Sequence, residues 1–97
     1  MPEVTISLEG HAEELAVFGS RDQYLRQIRD AVGVKVLARH GEVRIEGDSD
    51  RIEQAQRIFE GLRSIYRVRK TITSSDVIDS LVFAGPVAYA LWLWLGP

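Results

Sequence analysis

Apolar and polar residues alternate with a period of two at the start of the chain, where the apolar positions are Val4, Ile6 and Leu8. This alternation predicts a half-buried β-strand. A short helix is predicted next, from His11 to Phe18, with Leu15 and Phe18 on its apolar face. Gly19 follows at the position where glycine commonly ends a helix.

A second helix is predicted from Asp22 to Val32, because Leu25, Ile28 and Val32 recur at helical spacing. Gly33 is its stop signal. Two alternating segments follow, and their apolar positions are Val34, Val36, Ala38, Val43 and Ile45. The break between them at His40-Gly41 predicts a β-hairpin, since glycine suits the positive φ of a hairpin turn.

The third helix is the longest and is predicted from Asp50 to Tyr66, with Asp48 or Asp50 as its cap. Its apolar face is expected to comprise Ile52, Ala55, Ile58, Phe59, Leu62 and Ile65. The predicted order of elements is therefore β-α-α-β-β-α. This order predicts an α+β fold in which helices pack on one face of a three-stranded antiparallel sheet.

A fourth helix and an uncharged tail complete the pattern. The sequence Thr73-Ser74-Ser75-Asp76 resembles a capping box, with Asp76 in place of the usual Glu, and predicts a helix that begins with Val77, Ile78 and Leu81. The expected organisation is a domain over residues 2–69, a linker with a short helix over 70–81, and an apolar tail over 82–97.

The tail is too short for the roughly 20 residues that a membrane-spanning helix needs. Three interpretations of it stay open. It packs on the domain, it forms a dimer or membrane contact through an exposed apolar patch, or it results from a truncation or a shifted reading frame.

Charge and composition narrow the functional classes. The net charge of −2 excludes a strongly basic nucleic-acid binder. The chain has no cysteine, which removes disulfides, thiolate catalysis and Cys-type zinc sites. Its first residues lack a secretory signal pattern, and we expect a cytoplasmic protein.

Arginine supplies ten of the twelve basic residues, and arginine favours planar contacts to phosphate or carboxylate. One cluster comprises Arg21, Arg26 and Arg29, and a second lies between Arg63 and Lys70. The alternative interpretation of both clusters is solvated surface charge, as also expected for Glu13, Glu14, Glu42 and Glu46.

The order of elements and the stretch FGSRDQYLRQIRDAVGVKV, from Phe18 to Val36, resemble a type I KH domain. In such a domain a glycine-rich turn between two helices holds a nucleic-acid backbone, and the next strand lines a groove for bases. The resemblance implies a nucleic-acid interface made of Gly19, Ser20, Arg21, Asp22, Arg26, Arg29, Lys35 and Arg39, with Leu37 at the groove edge. Asp22 occupies the place of the second glycine of a KH turn. Its carboxylate would repel phosphate there, or it simply caps the second helix.

Two longer segments, Leu15 to Asp48 and Lys70 to Val77, resemble the N-terminal region of PhoH-like proteins, the phosphate-starvation-inducible ATPase family. The resemblance covers Ile6 to Leu81. It implies a KH-like domain that belongs with a P-loop ATPase domain, and a role in RNA metabolism with single-stranded RNA and an endoribonuclease as partners. ATP and Mg would belong to the ATPase domain. This chain contains no G-x-x-x-x-G-K-[ST] motif, so we expect no cofactor and no ATP hydrolysis here.

No residue pattern indicates catalysis. His11 and His40 are the only histidines, and neither has the spacing of a metal site or of a nucleophile and its base. The first functional hypothesis is therefore a non-catalytic RNA-binding or regulatory domain. The alternative is a protein-interaction or homo-oligomerisation domain that uses the sheet edge or the apolar tail.

Overall fold

A computed structural model of the chain describes residues 2–84. Its elements in chain order are β1 (Glu3–Ser7), α1 (His11–Phe18), α2 (Gln23–Val32), β2 (Lys35–Arg39), β3 (Glu42–Glu46), α3 (Ser49–Arg69) and α4 (Ser74–Ala84). A short 3-10 turn, Ser20–Asp22, joins α1 to α2. The three strands form one antiparallel sheet in the spatial order β1-β3-β2. The predicted α+β class is confirmed.

The hairpin between β2 and β3 turns at His40 and Gly41, as predicted. Their φ angles are 54° and 76°, which are the two left-handed positions of a type I′ turn. The register places Ala38 opposite Val43 and Arg39 opposite Glu42. Strand β3 is therefore the central strand, and both β1 and β2 are edges.

The two faces of the sheet differ in composition. The face that packs on the helices carries Val4, Ile6, Val36, Val43 and Ile45, all of which belong to or pack against the core. The opposite face, which we call the outer face, carries Glu3, Thr5, Ser7, Lys35, Leu37, Arg39, Glu42, Arg44 and Glu46. The predicted period of two is thus realised across all three strands.

Helix α1 has the predicted bounds and buries Phe18 as predicted, but its buried face does not include Leu15. Leu15, which was predicted to be buried with Phe18, is 58% exposed. The buried residues of α1 are Glu13, Val17 and Phe18. The cause is that α1 packs through the i, i+4 pair Glu13 and Val17, which leaves Leu15 on the opposite side.

Glu13 was predicted to be surface charge, and this prediction is wrong. Its carboxylate is 4% exposed and accepts hydrogen bonds from Nε of Arg63 at 3.1 Å and from the backbone N–H of Glu9 at 3.0 Å. Arg63, on α3, is itself 9% exposed and also donates to Glu60 at 3.4 Å. A buried ion pair therefore joins α1 to α3.

Helix α3 is longer than predicted at both ends. It begins at Ser49 after Asp48, whose side chain makes no capping hydrogen bond. It continues to Arg69, because no glycine or proline interrupts its last turn, and it ends where Lys70 adopts a left-handed φ of 61°.

Helix α4 begins with the predicted capping box. Oδ2 of Asp76 accepts the Thr73 backbone N–H at 2.8 Å, and Thr73 Oγ1 accepts the Asp76 backbone N–H at 3.3 Å. The first of these bonds, and then the neighbouring guanidinium of Arg69, hold the pKa of Asp76 below its usual value. The box satisfies backbone donors at the start of the helix.

The fourth helix packs on α2 and α3. Ile72, Val77 and Leu81 belong to the same core cluster as Ile28 and Phe59. The predicted boundary at residue 69 thus falls within one continuously packed core. Of the predicted tail, residues 82–84 lie in α4, and residues 85–97 lie outside the described residues.

Candidate nucleic-acid interface

The turn between α1 and α2 has an unusual backbone. Gly19 has a φ of 78°, and the next two left-handed positions are taken by Arg21, with φ 54°, and Asp22, with φ 60°. A non-glycine residue in this region costs about 1–3 kcal/mol, and such residues concentrate at functional sites. The turn is therefore a strained, exposed segment, and we call Gly19 to Asp22 the Gly19 turn.

The need for glycine at position 19 has an internal cause. A Cβ atom at Gly19 would lie 2.6 Å from Cδ2 of Tyr24, closer than any real Cβ contact. The Tyr24 ring is buried against the turn, and its hydroxyl donates a long hydrogen bond of 3.5 Å to the carbonyl oxygen of Ile72. Packing by Tyr24, together with the positive φ, is sufficient to exclude a side chain at this position.

Asp22 does not cap α2, so the interpretation of it as a simple cap is wrong. It occupies the residue before Gln23, but its side chain makes no hydrogen bond to the helix N-terminus. An N-cap residue normally has an extended backbone, which aims its side chain at the first N–H groups of the helix. The left-handed backbone of Asp22 aims the carboxylate elsewhere and leaves it exposed.

The carbonyl oxygens of Gly19 and Ser20 each accept a backbone hydrogen bond that closes the turn. The Asp22 N–H donates to Gly19 O at 3.2 Å, and the Gln23 N–H donates to Ser20 O. The N–H groups of Ser20 and Arg21 find no backbone acceptor in residues 2–84. They are free to donate to an anion that approaches the turn.

The cations beside the turn differ in their availability. The guanidinium of Arg29 donates to Asp30 at 2.9 Å, and this bond raises the pKa of Arg29 and lowers that of Asp30. Arg21 and Arg26 are exposed and make no ion pair with another described residue. Of the three predicted arginines, only Arg29 is paired with a carboxylate of residues 2–84; Arg21 and Arg26 are not.

Lys35 and Arg39 lie in a different place from the turn. Both project from edge strand β2 on the outer face, whereas the Gly19 turn packs on α1 and α2 in the helical layer. Lys35 faces Glu46 across the sheet at 3.6 Å. Arg39 lines an open hollow of 380 Å³ with Leu37, His40, Glu42 and Arg44. The structure thus divides the predicted residues between two surfaces.

Two residues near these surfaces were missed by the sequence analysis. The apolar stripe predicted for α2 does not include Tyr24, although its i, i+4 spacing to Ile28 places both side chains on one face. No role is predicted for Arg44, although it alternates with the apolar residues Val43 and Ile45 in the hairpin. Its register opposite Leu37 would have placed it on the outer face.

The structure of residues 2–84 also bears on metal binding and on membrane insertion. No group of three or more His, Asp or Glu side chains is arranged to hold a metal ion there. None of the helices in that range combines the length and the apolar character that crossing a bilayer requires.

Comparisons of the chain with protein-family models, with curated proteins and with solved structures found no significant match.

Proposed function

We propose that this chain is a non-catalytic RNA-binding domain of the KH-like type I class, related to the N-terminal region of PhoH-like proteins. It holds the backbone of single-stranded RNA at the Gly19 turn. The observation that carries the proposal is the turn itself, a strained and exposed connection between two helices with unpaired cations beside it.

The fold supports the proposal at a coarser level. The element order β-α-α-β-β-α and the antiparallel sheet with helices on one face agree with the expectation for such a domain. In KH domains, the turn between the two consecutive helices clamps the nucleic-acid backbone. The same connection in this chain contains the left-handed residues Arg21 and Asp22 and the N–H groups of Ser20 and Arg21 that lack a backbone acceptor in residues 2–84.

The mechanism proposed is phosphate contact without a sequence code. A phosphate oxygen would accept hydrogen bonds from the N–H groups of Ser20 and Arg21, and the guanidinium groups of Arg21 and Arg26 would neutralise its charge. The carboxylate of Asp22 opposes this contact by repulsion. Affinity is therefore expected to be modest and salt-sensitive.

The wider context belongs to the same proposal. We also propose a cytoplasmic location, since a chain without cysteine fits a reducing compartment. A P-loop ATPase domain that binds ATP and Mg and an endoribonuclease partner follow from the family resemblance. They concern parts or partners other than this chain, whose sequence lacks a phosphate-binding P-loop.

Fluorescence anisotropy of the full chain with a labelled single-stranded RNA tests the proposal. Arg21→Ala should weaken binding to all sequences and reduce the dependence of affinity on salt by about 0.7 in log–log slope. Arg57→Gln is the matched control, because Arg57 lies on α3 and pairs with Glu53 at 3.5 Å. Equal affinity and slope for wild type and Arg21→Ala would exclude the turn as the RNA site.

A second candidate function is self-association through an edge of the sheet. At the two ends of β1, the Pro2 carbonyl oxygen accepts the Gly47 N–H and the Leu8 N–H donates to the Gly41 carbonyl oxygen. Alternate residues of the strand therefore bond to the β3 side, and the backbone groups of Glu3, Thr5 and Ser7 point away from the sheet. Symmetric pairing of two β2 strands about Leu37 would instead place Lys35 opposite Arg39, which is repulsive.

Self-association is therefore expected at β1, and Thr5→Pro is the variant that blocks it, because proline removes an outward N–H. Size-exclusion chromatography with light scattering measures the outcome. A dimer that Thr5→Pro converts to a monomer favours this candidate, and a monomeric wild type excludes it.

A further inference from the structure

The Gly19 turn is joined to a second part of the surface through Tyr24. One side of the Tyr24 ring closes on Gly19, and the hydroxyl at its end reaches the carbonyl oxygen of Ile72. Ile72 is buried and lies in the connection between α3 and α4. The Tyr24 side chain therefore spans the distance between the Gly19 turn and the connection from α3 to α4.

The start of the connection is positively charged. Lys70 terminates α3 with a left-handed backbone, and its ammonium nitrogen lies 5.3 Å from the centroid of the Tyr66 ring. Arg67 is exposed one turn earlier in α3. Neither cation makes an ion pair with a described residue, in contrast to Arg69, which pairs with Asp76.

A shallow hollow of 200 Å³ lies beside these cations. Its lining includes Tyr66, Arg67 and Lys70 from α3 and its end, and Glu9 and Glu13 from the α1 side. The Glu13 carboxylate already forms an ion pair with Arg63. Glu9 is exposed and is the acidic group that opposes an anion in this hollow.

The hollow and the Gly19 turn lie at opposite ends of α1, which spans about 12 Å for its eight residues. The connection from Lys70 to Ile72 leads from the hollow to Tyr24. Exposed cations without an ion pair in residues 2–84 therefore lie near both ends of α1, with Lys70 and Arg67 at one end and Arg21 and Arg26 at the other.

We infer that Lys70 and Arg67 form a second phosphate-binding site for the RNA strand held at the Gly19 turn, and that Tyr24 fixes the spacing of the two sites. The inference rests on the proposed RNA-binding function and extends it. A strand that contacts both sites follows α1, and its affinity depends on cations that a KH-like turn alone does not supply.

The test is a salt titration of anisotropy with the full chain and a fluorescein-labelled oligouridylate of about 12 nucleotides, which is within the range of single-strand site sizes. Lys70→Asn removes the charge while keeping a residue that tolerates a left-handed backbone. It should lower the log–log salt slope by about 0.7, the contribution of one contact. Lys70→Arg should restore the slope.

Glu9→Gln should have the opposite effect on RNA affinity to Lys70→Asn. Removal of its charge should tighten binding, because an anion beside Lys70 and Arg67 would no longer be repelled. Arg57→Gln again serves as the control for the loss of one positive charge, and thermal unfolding monitored by circular dichroism verifies that each variant is folded.

The outcomes separate the two proposals. Reduced slopes for both Arg21→Ala and Lys70→Asn, with tighter binding by Glu9→Gln, support the joined surface. An effect of Arg21→Ala alone, with Lys70→Asn matching Arg57→Gln, overturns this inference and leaves the proposed function standing. An effect of Lys70→Asn alone overturns the joined surface, and absence of binding by the wild type overturns both.

Discussion

Glu13→Ala breaks the buried ion pair between α1 and α3. The change removes the acceptor of two hydrogen bonds, one from Arg63 at 3.1 Å and one from the Glu9 backbone N–H at 3.0 Å. It leaves the Arg63 guanidinium, which is 9% exposed, with Glu60 at 3.4 Å as its remaining described partner.

Removing one partner of a buried pair costs about 3–5 kcal/mol. Glu60 retains part of the neutralisation, so we expect a loss of about 3 kcal/mol in the free energy of unfolding. For a domain of this size, such a loss lowers Tm by roughly 12–24 °C. Replacing both partners, as Glu13→Leu with Arg63→Met, leaves no unpaired charge and should cost less than either single change.

Urea unfolding followed by circular dichroism at a single pH gives the free energies, since small domains usually unfold in two states. Glu53→Ala is the matched control, because the Glu53–Arg57 pair is exposed and spans 3.5 Å on the same helix. Its loss is expected to be below about 0.5 kcal/mol. A Glu13→Ala loss no larger than that of Glu53→Ala, or a loss in the double variant equal to the sum of the two single losses, would show that the Glu13–Arg63 pair does not behave as a buried ion pair.

Three further predictions follow from local geometry. Gly19→Ala should lose at least about 2 kcal/mol of unfolding free energy by urea titration, because the new Cβ meets Tyr24, whereas Gly41→Ala has open space and loses about 1 kcal/mol. Asp76→Ala should cost about 1 kcal/mol at neutral pH. Because the pKa of Asp76 is lowered in the folded protein, its contribution to stability is present above the unfolded carboxyl pKa of about 3.9 and is lost as pH falls through the lower folded pKa. The stabilities of the wild type and of Asp76→Ala should therefore converge in acid unfolding curves. Asp22→Gly should tighten RNA binding in anisotropy by roughly five-fold, about 1 kcal/mol, since it removes a carboxylate from the turn; an unchanged affinity would show that the phosphate does not approach Asp22.

The parts of the fold that depend on neighbours in sequence were predictable. The His40-Gly41 turn, the apolar stripe of α2 and the Thr73–Asp76 box are each specified within a few residues, and the structure confirms them. The burial of Glu13 on α1 was not, because its ion-pair partner Arg63 lies 50 residues beyond it in the chain.

The geometry of the candidate site was only partly predictable for the same reason. The presence of a turn at Gly19 follows from the pattern of glycine between two helices. The left-handed backbone of Asp22 does not follow, because residue type favours an extended N-cap there and the packing of Tyr24 on Gly19 is a tertiary contact. The separation of Lys35 from the turn required knowledge of which face of β2 the helices cover.

The most direct test of RNA binding at the Gly19 turn is an amide chemical-shift titration of the ¹⁵N-labelled full chain with a short single-stranded oligouridylate. If RNA binds at this turn, the largest and most salt-sensitive shifts should fall on the amides of Ser20 and Arg21, whose N–H groups lack a backbone acceptor in the described structure. Shifts confined to the β1 edge or the outer face of the sheet, or no shifts at all, would contradict binding at this turn.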